Sequence, residues 1–176
     1  MSESIISLKL MSVNYQEMGA DKNCTKYMLE AIRLSCENIK DGGGPFGAVI
    51  VKGDEIIATG VNSVTRDLDP TAHAEVNAIR KAAQVLEDFD LSGCVIYSSC
   101  EPCPMCLAAI YWARISRIYY GNSKKDAADI HFDDAFFYDE LKRSPGRRNV
   151  QMRQCLADEA HVAFKMWEDY EDKIVY

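Results

Sequence analysis

No apolar run in the sequence approaches the ~18 residues of a membrane span, and the opening segment, Met1 to Asn23, offers only the short patch Ile5-Ile6-Ser7-Leu8 before Lys9. That patch is too short and too polar for a signal peptide. Basic charge is also scarce. Twenty Lys and Arg against 27 Asp and Glu leave a formal net charge of −7, so no strongly basic face is available to hold a phosphate backbone by counterion release. The one basic cluster, Lys142-Arg143 and Arg147-Arg148 around Pro145-Gly146, reads as a solvated loop. Internal repeats, low-complexity tracts and interdomain linkers are missing as well. What remains, 176 residues of which 48% are hydrophobic, suits one compact domain with a proper core.

The seven cysteines, an odd number without secretory context, point to a reducing, cytoplasmic location and to metal binding over disulfides. Cys24, Cys36, Cys94 and Cys155 are scattered at apolar spacings and are expected to pack as small buried hydrophobes. The other three fall within Ser98-Ser99-Cys100-Glu101-Pro102-Cys103-Pro104-Met105-Cys106-Leu107. A Cys-x-x-Cys pair at a helix start aims two sulfurs at one ion, and the positive end of the helix dipole favours both thiolates. Some thirty residues earlier, Asp69-Pro70-Thr71-Ala72-His73-Ala74-Glu75-Val76 supplies His73 as a third ligand, with Glu75 two positions on.

Together the two stretches read His-x-Glu…Pro-Cys-x-x-Cys, the signature of zinc deaminases in which the Glu carries protons and is not a ligand. One imidazole and two thiolates balance the charge of Zn²⁺ and leave the fourth tetrahedral position for water. Zinc lowers the pKa of such a water from 15.7 to about 7, and Glu75 is placed to take its proton and pass it on. A closed site of three cysteines and one histidine, serving a zinc-stabilised dimerisation module, is the non-enzymatic alternative. It would require Cys100 to share the ion. With residues 100–103 extended at ~3.3–3.6 Å per residue, Cys100 lies roughly 10 Å from Cys103, and it is read as a packing cysteine.

Periodicity supplies the scaffold. Met28, Ala31, Ile32, Ser35 and Ile39 recur at helical spacing from Thr25 to Lys40, ended by Gly42-Gly43-Gly44-Pro45. Phe46 to Val51 and Ile56 to Val61 form two strands of a hairpin punctuated by Lys52-Gly53-Asp54-Glu55. Asp69-Pro70 is the expected cap of a helix lined by Ala74, Val76, Ile79, Ala82, Ala83 and Leu86. Cys94 to Ser98 is a short buried strand, Pro104 to Ala113 a helix and Ile115 to Tyr120 a further strand. Helical pieces follow between Asp126 and Lys142. Val150 to Leu156 is expected as a last strand, and Asp158 to Lys173 as an amphipathic helix carrying Val162, Ala163, Met166, Trp167 and Tyr170. Strands alternating with helices imply an α/β fold, its sheet covered on both faces.

Three stretches, Gly44-Pro45-Phe46-Gly47-Ala48-Val49-Ile50-Val51 and the two motifs above, resemble the cytidine-deaminase-like superfamily. Ala109-Ile110-Tyr111-Trp112-Ala113-Arg114, Asp126-Ala127-Ala128, Phe132-Asp133-Asp134 and a C-terminal tyrosine after an aromatic-rich helix are similar to bacterial-type guanine deaminases. The resemblance runs from about residue 24 to 176, leaving 1–23 as an N-terminal extension without counterpart. It implies a three-layer α/β/α fold around a central mixed sheet and one zinc per chain. It implies a homodimer whose C-terminal segment is exchanged, and hydrolysis of guanine to xanthine and ammonia. Carried over by position, Phe46 stacks on the purine, Asn62 bonds its edge, Ala74 and Tyr176 complete the substrate contacts, and Asp134 works beside Glu75. Phe46 as core, Asn62 as a turn residue and Asp134 as a helix-start acid are the plain alternatives. Deaminases of guanosine, cytidine or cytosine compounds, of aminated triazines and of tRNA adenosine share the zinc motif; the acidic charge argues against the last.

Overall fold

The computed structural model describes residues 22–132 and 134–175. The elements in chain order are α1 (Lys22–Lys40), β1 (Gly47–Lys52), β2 (Glu55–Val61), α2 (Val64–Asp67), α3 (Ala74–Leu86), β3 (Cys94–Cys100), α4 (Pro104–Trp112), β4 (Arg117–Asn122), α5 (Lys124–Asp129), α6 (Ala135–Lys142), a 3₁₀ turn (Pro145–Arg147) and α7 (Ala157–Asp169). The four strands form one mixed sheet in the order β2-β1-β3-β4. β1 runs antiparallel to both β2 and β3, and β3 runs parallel to β4 across the α4 crossover.

The pleat of β1 explains the layers, because successive side chains point to opposite faces. Ala48 and Ile50 face the alanines of α3 together with Ile96 and Ile110, while Val49 and Val51 face Tyr27 and Ala31 of α1 and Tyr97. α1 therefore covers one face of the sheet and α3 with α4 the other, the expected α/β/α arrangement. Ala74, Ala78 and Ala82 are fully buried at i, i+4 and i+8, a stripe small enough to bring the α3 backbone onto the sheet. β2 meets that stripe with Gly60, where a Cβ would overlap the carbonyl oxygen of Ala74 and the amide of Ala78.

Several expectations are corrected. α1 begins at Lys22, not Thr25, and its buried face holds Tyr27, Ala31, Ser35 and Asn38, while Ile39 is exposed. Helical period is the same for both stripes; the polar Asn38 displaces Ile39 because it satisfies backbone carbonyls of the next loop. Val150 to Leu156 forms no strand: the segment is exposed and joins no ladder, and strand propensity expresses fit to a pleated, half-buried surface that this stretch does not reach. α7 forms, but Val162, Phe164, Met166, Trp167 and Tyr170 are all exposed. Of the four scattered cysteines only Cys94 is fully buried, and Cys155 is exposed. All seven cysteines are free thiols, and no described helix is long and apolar enough to cross a membrane.

Gly60→Ala should force helix and strand apart where both neighbours are backbone. Overpacking of this kind costs about 1–3 kcal/mol, or a Tm lower by roughly 2–12 °C for a domain of this size. Gly146→Ala, with open space around the position, should melt like the parent. Equal melting curves for the two variants would contradict the close approach of α3 to β2.

Candidate metal centre and active site

Two helix starts meet at the site. Asp69 does not cap α3; its carboxylate accepts from the Thr71 amide and hydroxyl, both at 2.7 Å, closing a separate turn. The helix begins at Ala74, with His73 at the N-cap in extended conformation and its side chain free of any capping bond. Cys103 occupies the same position ahead of α4, again without a side-chain cap and with Pro104 following. Proline in the first turn costs no hydrogen bond, since those amides have no intrahelical partner. Cys106 lies one turn into α4 and is fully buried.

His73 Nδ1 stands 3.6 Å from Cys103 Sγ and 3.5 Å from Cys106 Sγ, and the three donor atoms lie within 4.8 Å of one another. Ligands ~2.0–2.3 Å from a shared centre at tetrahedral angles stand roughly 3.5 Å apart, so the trio fits zinc. The electrostatics agree. The two thiols compete for one proton: Cys103 is held down to about 4, first by the hydrogen bond from Cys106 and, against the effect of burial, by His73. Cys106, the donor in that bond and deeply buried, is pushed up. A cation in the proton's place lets both sulfurs ionise. The hydrogen bond to Cys103 raises the His73 pKa despite burial. Cys100 is outside the trio; its Sγ is 3.7 Å from the Ser123 carbonyl oxygen, and burial pushes its thiol up to about 11.

Glu75, second residue of α3, is 6% exposed and accepts a 3.0 Å hydrogen bond from the Ser98 hydroxyl. Burial pushes its pKa up. Glu75, His73 and Cys103 open onto a cavity of about 570 Å³ that is also lined by Phe46, Asn62 and Asp134. Asp134 sits at the N-cap of α6 without capping it. The Ala74 side chain is not brought to the cavity: its methyl belongs to the fully buried alanine stripe on the sheet. Tyr176 lies outside the described residues, as do residues 1–21 of the expected N-terminal extension.

The structure adds lining residues that spacing does not single out. Phe132 meets Phe46 edge to face, ring centroids 4.9 Å apart, and His131 beside it has a left-handed backbone, φ 71°. Ser98 carries a signal in hindsight: Ser98-Ser99 are buried polar residues ending an otherwise apolar strand. Ser99 accepts from the Gly47 amide at 3.0 Å, and Ser98 holds Glu75.

Residues 21–122 match the family model for the cytidine and deoxycytidylate deaminase zinc-binding region. A guanine deaminase from Bacillus subtilis (strain 168) is 47% identical over 155 residues, 88% of this chain and 99% of that protein. The crystal structure of guanine deaminase from Bacillus subtilis superposes with a TM-score of 0.84 at 47% identity, over 86% of this chain and 97% of that one. A tRNA-specific adenosine deaminase from Buchnera aphidicola is 32% identical over 130 residues, 73% of this chain and 86% of that protein. With a family match over more than half its length and a histidine–dicysteine trio beside a buried glutamate, this chain belongs to the cytidine and deoxycytidylate deaminase family and carries its zinc-binding region.

Proposed function

We propose that this chain hydrolyses guanine to xanthine and ammonia. The observation that carries the proposal is one cavity in which the ligand trio and Glu75 share walls with Phe46 and Asn62. Among the described lining residues are three carboxylates, Glu75, Glu101 and Asp134, and no Lys or Arg. Such a lining suits an uncharged planar ring and offers nothing to the phosphates of a nucleotide or a tRNA. The similarity to guanine deaminase over nearly the whole chain selects the base.

Zinc held by His73, Cys103 and Cys106 supplies Lewis acidity that makes water a nucleophile near neutral pH. The protein's own groups do the rest. Phe46 stacks on the purine, and Asn62, which is 8% exposed, offers a donor and an acceptor to its edge. Glu75 takes one proton from the attacking water and gives it to a ring nitrogen as the carbon–oxygen bond forms, then passes the remaining hydroxyl proton to the amine; the carbon–nitrogen bond breaks, the carbonyl forms and ammonia leaves. The Ser98 hydroxyl donates to one oxygen of Glu75 and so orients its carboxylate for this work. Asp134 accepts from the amine opposite Glu75.

The working unit is a homodimer in the reducing cytoplasm, with the C-terminal segment exchanged and Tyr176 closing the partner's cavity. The apolar face of α7 left uncovered by the described residues, with Val162 58% and Met166 69% exposed, supports an occupant of the same chemistry, a second copy of this chain. A closed cavity excludes water and strengthens the electrostatics within it.

Ammonia release from guanine, guanosine, adenine, cytosine, cytidine and ammeline tests the substrate; guanine should be turned over best, and preference for a nucleoside or a triazine would overturn the assignment. Metal analysis should find one zinc per chain, lost in Cys103→Ser and retained in Cys100→Ser; retention in the first or loss in the second would redraw the ligand set. Glu75→Gln should keep its zinc and lose ~10²–10⁴-fold in kcat, the usual extent of general acid–base catalysis, and near-normal turnover would remove Glu75 from the mechanism. Deleting Ile174 to Tyr176 should leave zinc and Tm unchanged while kcat/KM for guanine collapses. Mixing the truncated chain with Glu75→Gln should then restore activity, since one site of the mixed dimer has both an intact Glu75 and an intact tail. Full activity in the truncated enzyme would remove the tail from the site.

A further inference from the structure

Phe46 and Asn62 flank different strands: Phe46 lies between the loop Gly42-Gly43-Gly44-Pro45 and the start of β1, and Asn62 directly follows β2. The β1–β2 ladder ends with Gly47 opposite Val61, so both residues lie just beyond its last pair, where further contacts must fix the loop before Phe46. Asn38, near the C-terminal end of α1 and 2% exposed, lies between them. Its Nδ2 donates to the Gly44 carbonyl at 2.8 Å and to the Asn62 carbonyl at 2.7 Å.

Each bond is one step from a substrate contact. The Gly44 carbonyl that accepts from Asn38 also accepts from the Phe46 amide at 2.8 Å, and the Asn62 amide donates to the Phe46 carbonyl at 3.1 Å. The Gly43 amide bonds the Asn38 carbonyl at 2.9 Å, and a Cβ on Gly43 would run into the Asn38 amide and the Asn62 carbonyl. The loop therefore rests directly on this side chain. The direction of the amide follows from its partners: with two carbonyls to serve, the nitrogen must face them, since an oxygen there would be repelled by both. The cost is visible, as Asn38 Oδ1 is a buried side-chain oxygen without a hydrogen-bond partner among the described residues, a position polar groups rarely occupy. A core helix residue that only needed to fill space would be apolar.

We propose that Asn38 is the positioning residue for base recognition: its amide locks the spacing between the ring of Phe46 and the side-chain amide of Asn62, and thereby the fit of the purine. The proposal rests on the reading of these two residues as substrate contacts. Asn38 touches neither the ligand trio nor Glu75, so it acts on binding of the base and not on proton transfer.

The test measures guanine turnover, zinc content and Tm in parent, Asn38→Ala and Asn38→Asp. Asn38→Ala should raise KM about ten-fold or more, since misplacement of a positioning group is costly, with kcat changed less than about three-fold, one zinc per chain and a folded melt. Asn38→Asp, which turns both donations into repulsions, should raise KM further. Rescue is expected in Asn38→Ser only in part, because its single donor serves one of the two carbonyls; this variant also stands in if Asn38→Ala does not fold. An unchanged KM in folded, zinc-loaded variants overturns the inference, as does a fall in kcat alone. If the parent releases no ammonia from guanine, the substrate reading falls first, and that outcome is separate from an active parent with indifferent Asn38 variants.

Discussion

Everything at the site depends on two helices starting at one place. His73 and Cys103 are both N-cap residues whose side chains do not cap, so the groups that would ordinarily serve their own helix point at each other. The positive ends of both helices then face the same point and favour the thiolates there. That convergence is a packing result. α3 reaches its place because Gly60 and the alanine stripe let its backbone lie close on β2, and α4 reaches its place because β3 delivers the chain to Pro102 and Pro104 at the sheet's end.

Burial sets the chemistry around that point. The Glu75 carboxylate is nearly excluded from solvent and is held by the Ser98 hydroxyl of β3 together with its own backbone amide and Cys106. Low dielectric makes a misplaced carboxylate costly and a well-oriented one effective. The cavity that Glu75 lines is apolar at Phe46 and Phe132, whose rings meet edge to face. It thus has titratable groups on some of its lining and aromatic rings on another part.

The expected fold was legible where a local rule and burial agreed. β1, β2, β3 and α4 lie where alternation, turn chemistry and proline placed them. The rule failed where two residues offered the same local signal. Asp69 and His73 both precede an apolar run, and Asp is the better cap, but Asp69 closes a turn with Thr71, leaving the helix start to a histidine. Ile39 and Asn38 both fit a helical stripe, and carbonyls of a loop made the asparagine the buried one. Val150 to Leu156, expected as a last strand, lies on no sheet among the described residues.

The sequence by itself determined the chemistry: His-x-Glu and Pro-Cys-x-x-Cys name a metal trio and a proton carrier, since few residue types bind zinc and their spacing on a helix start leaves few geometries. It also determined the layered α/β class through its periodicities. Only the tertiary structure decided that Ser98 holds Glu75 and that Asn38 spans the segments bearing Phe46 and Asn62. Those are contacts between residues far apart in the chain, and spacing carries no information about them. They exist because the sheet brings strand ends and helix ends to one edge, where each buried polar atom must find its partner across space.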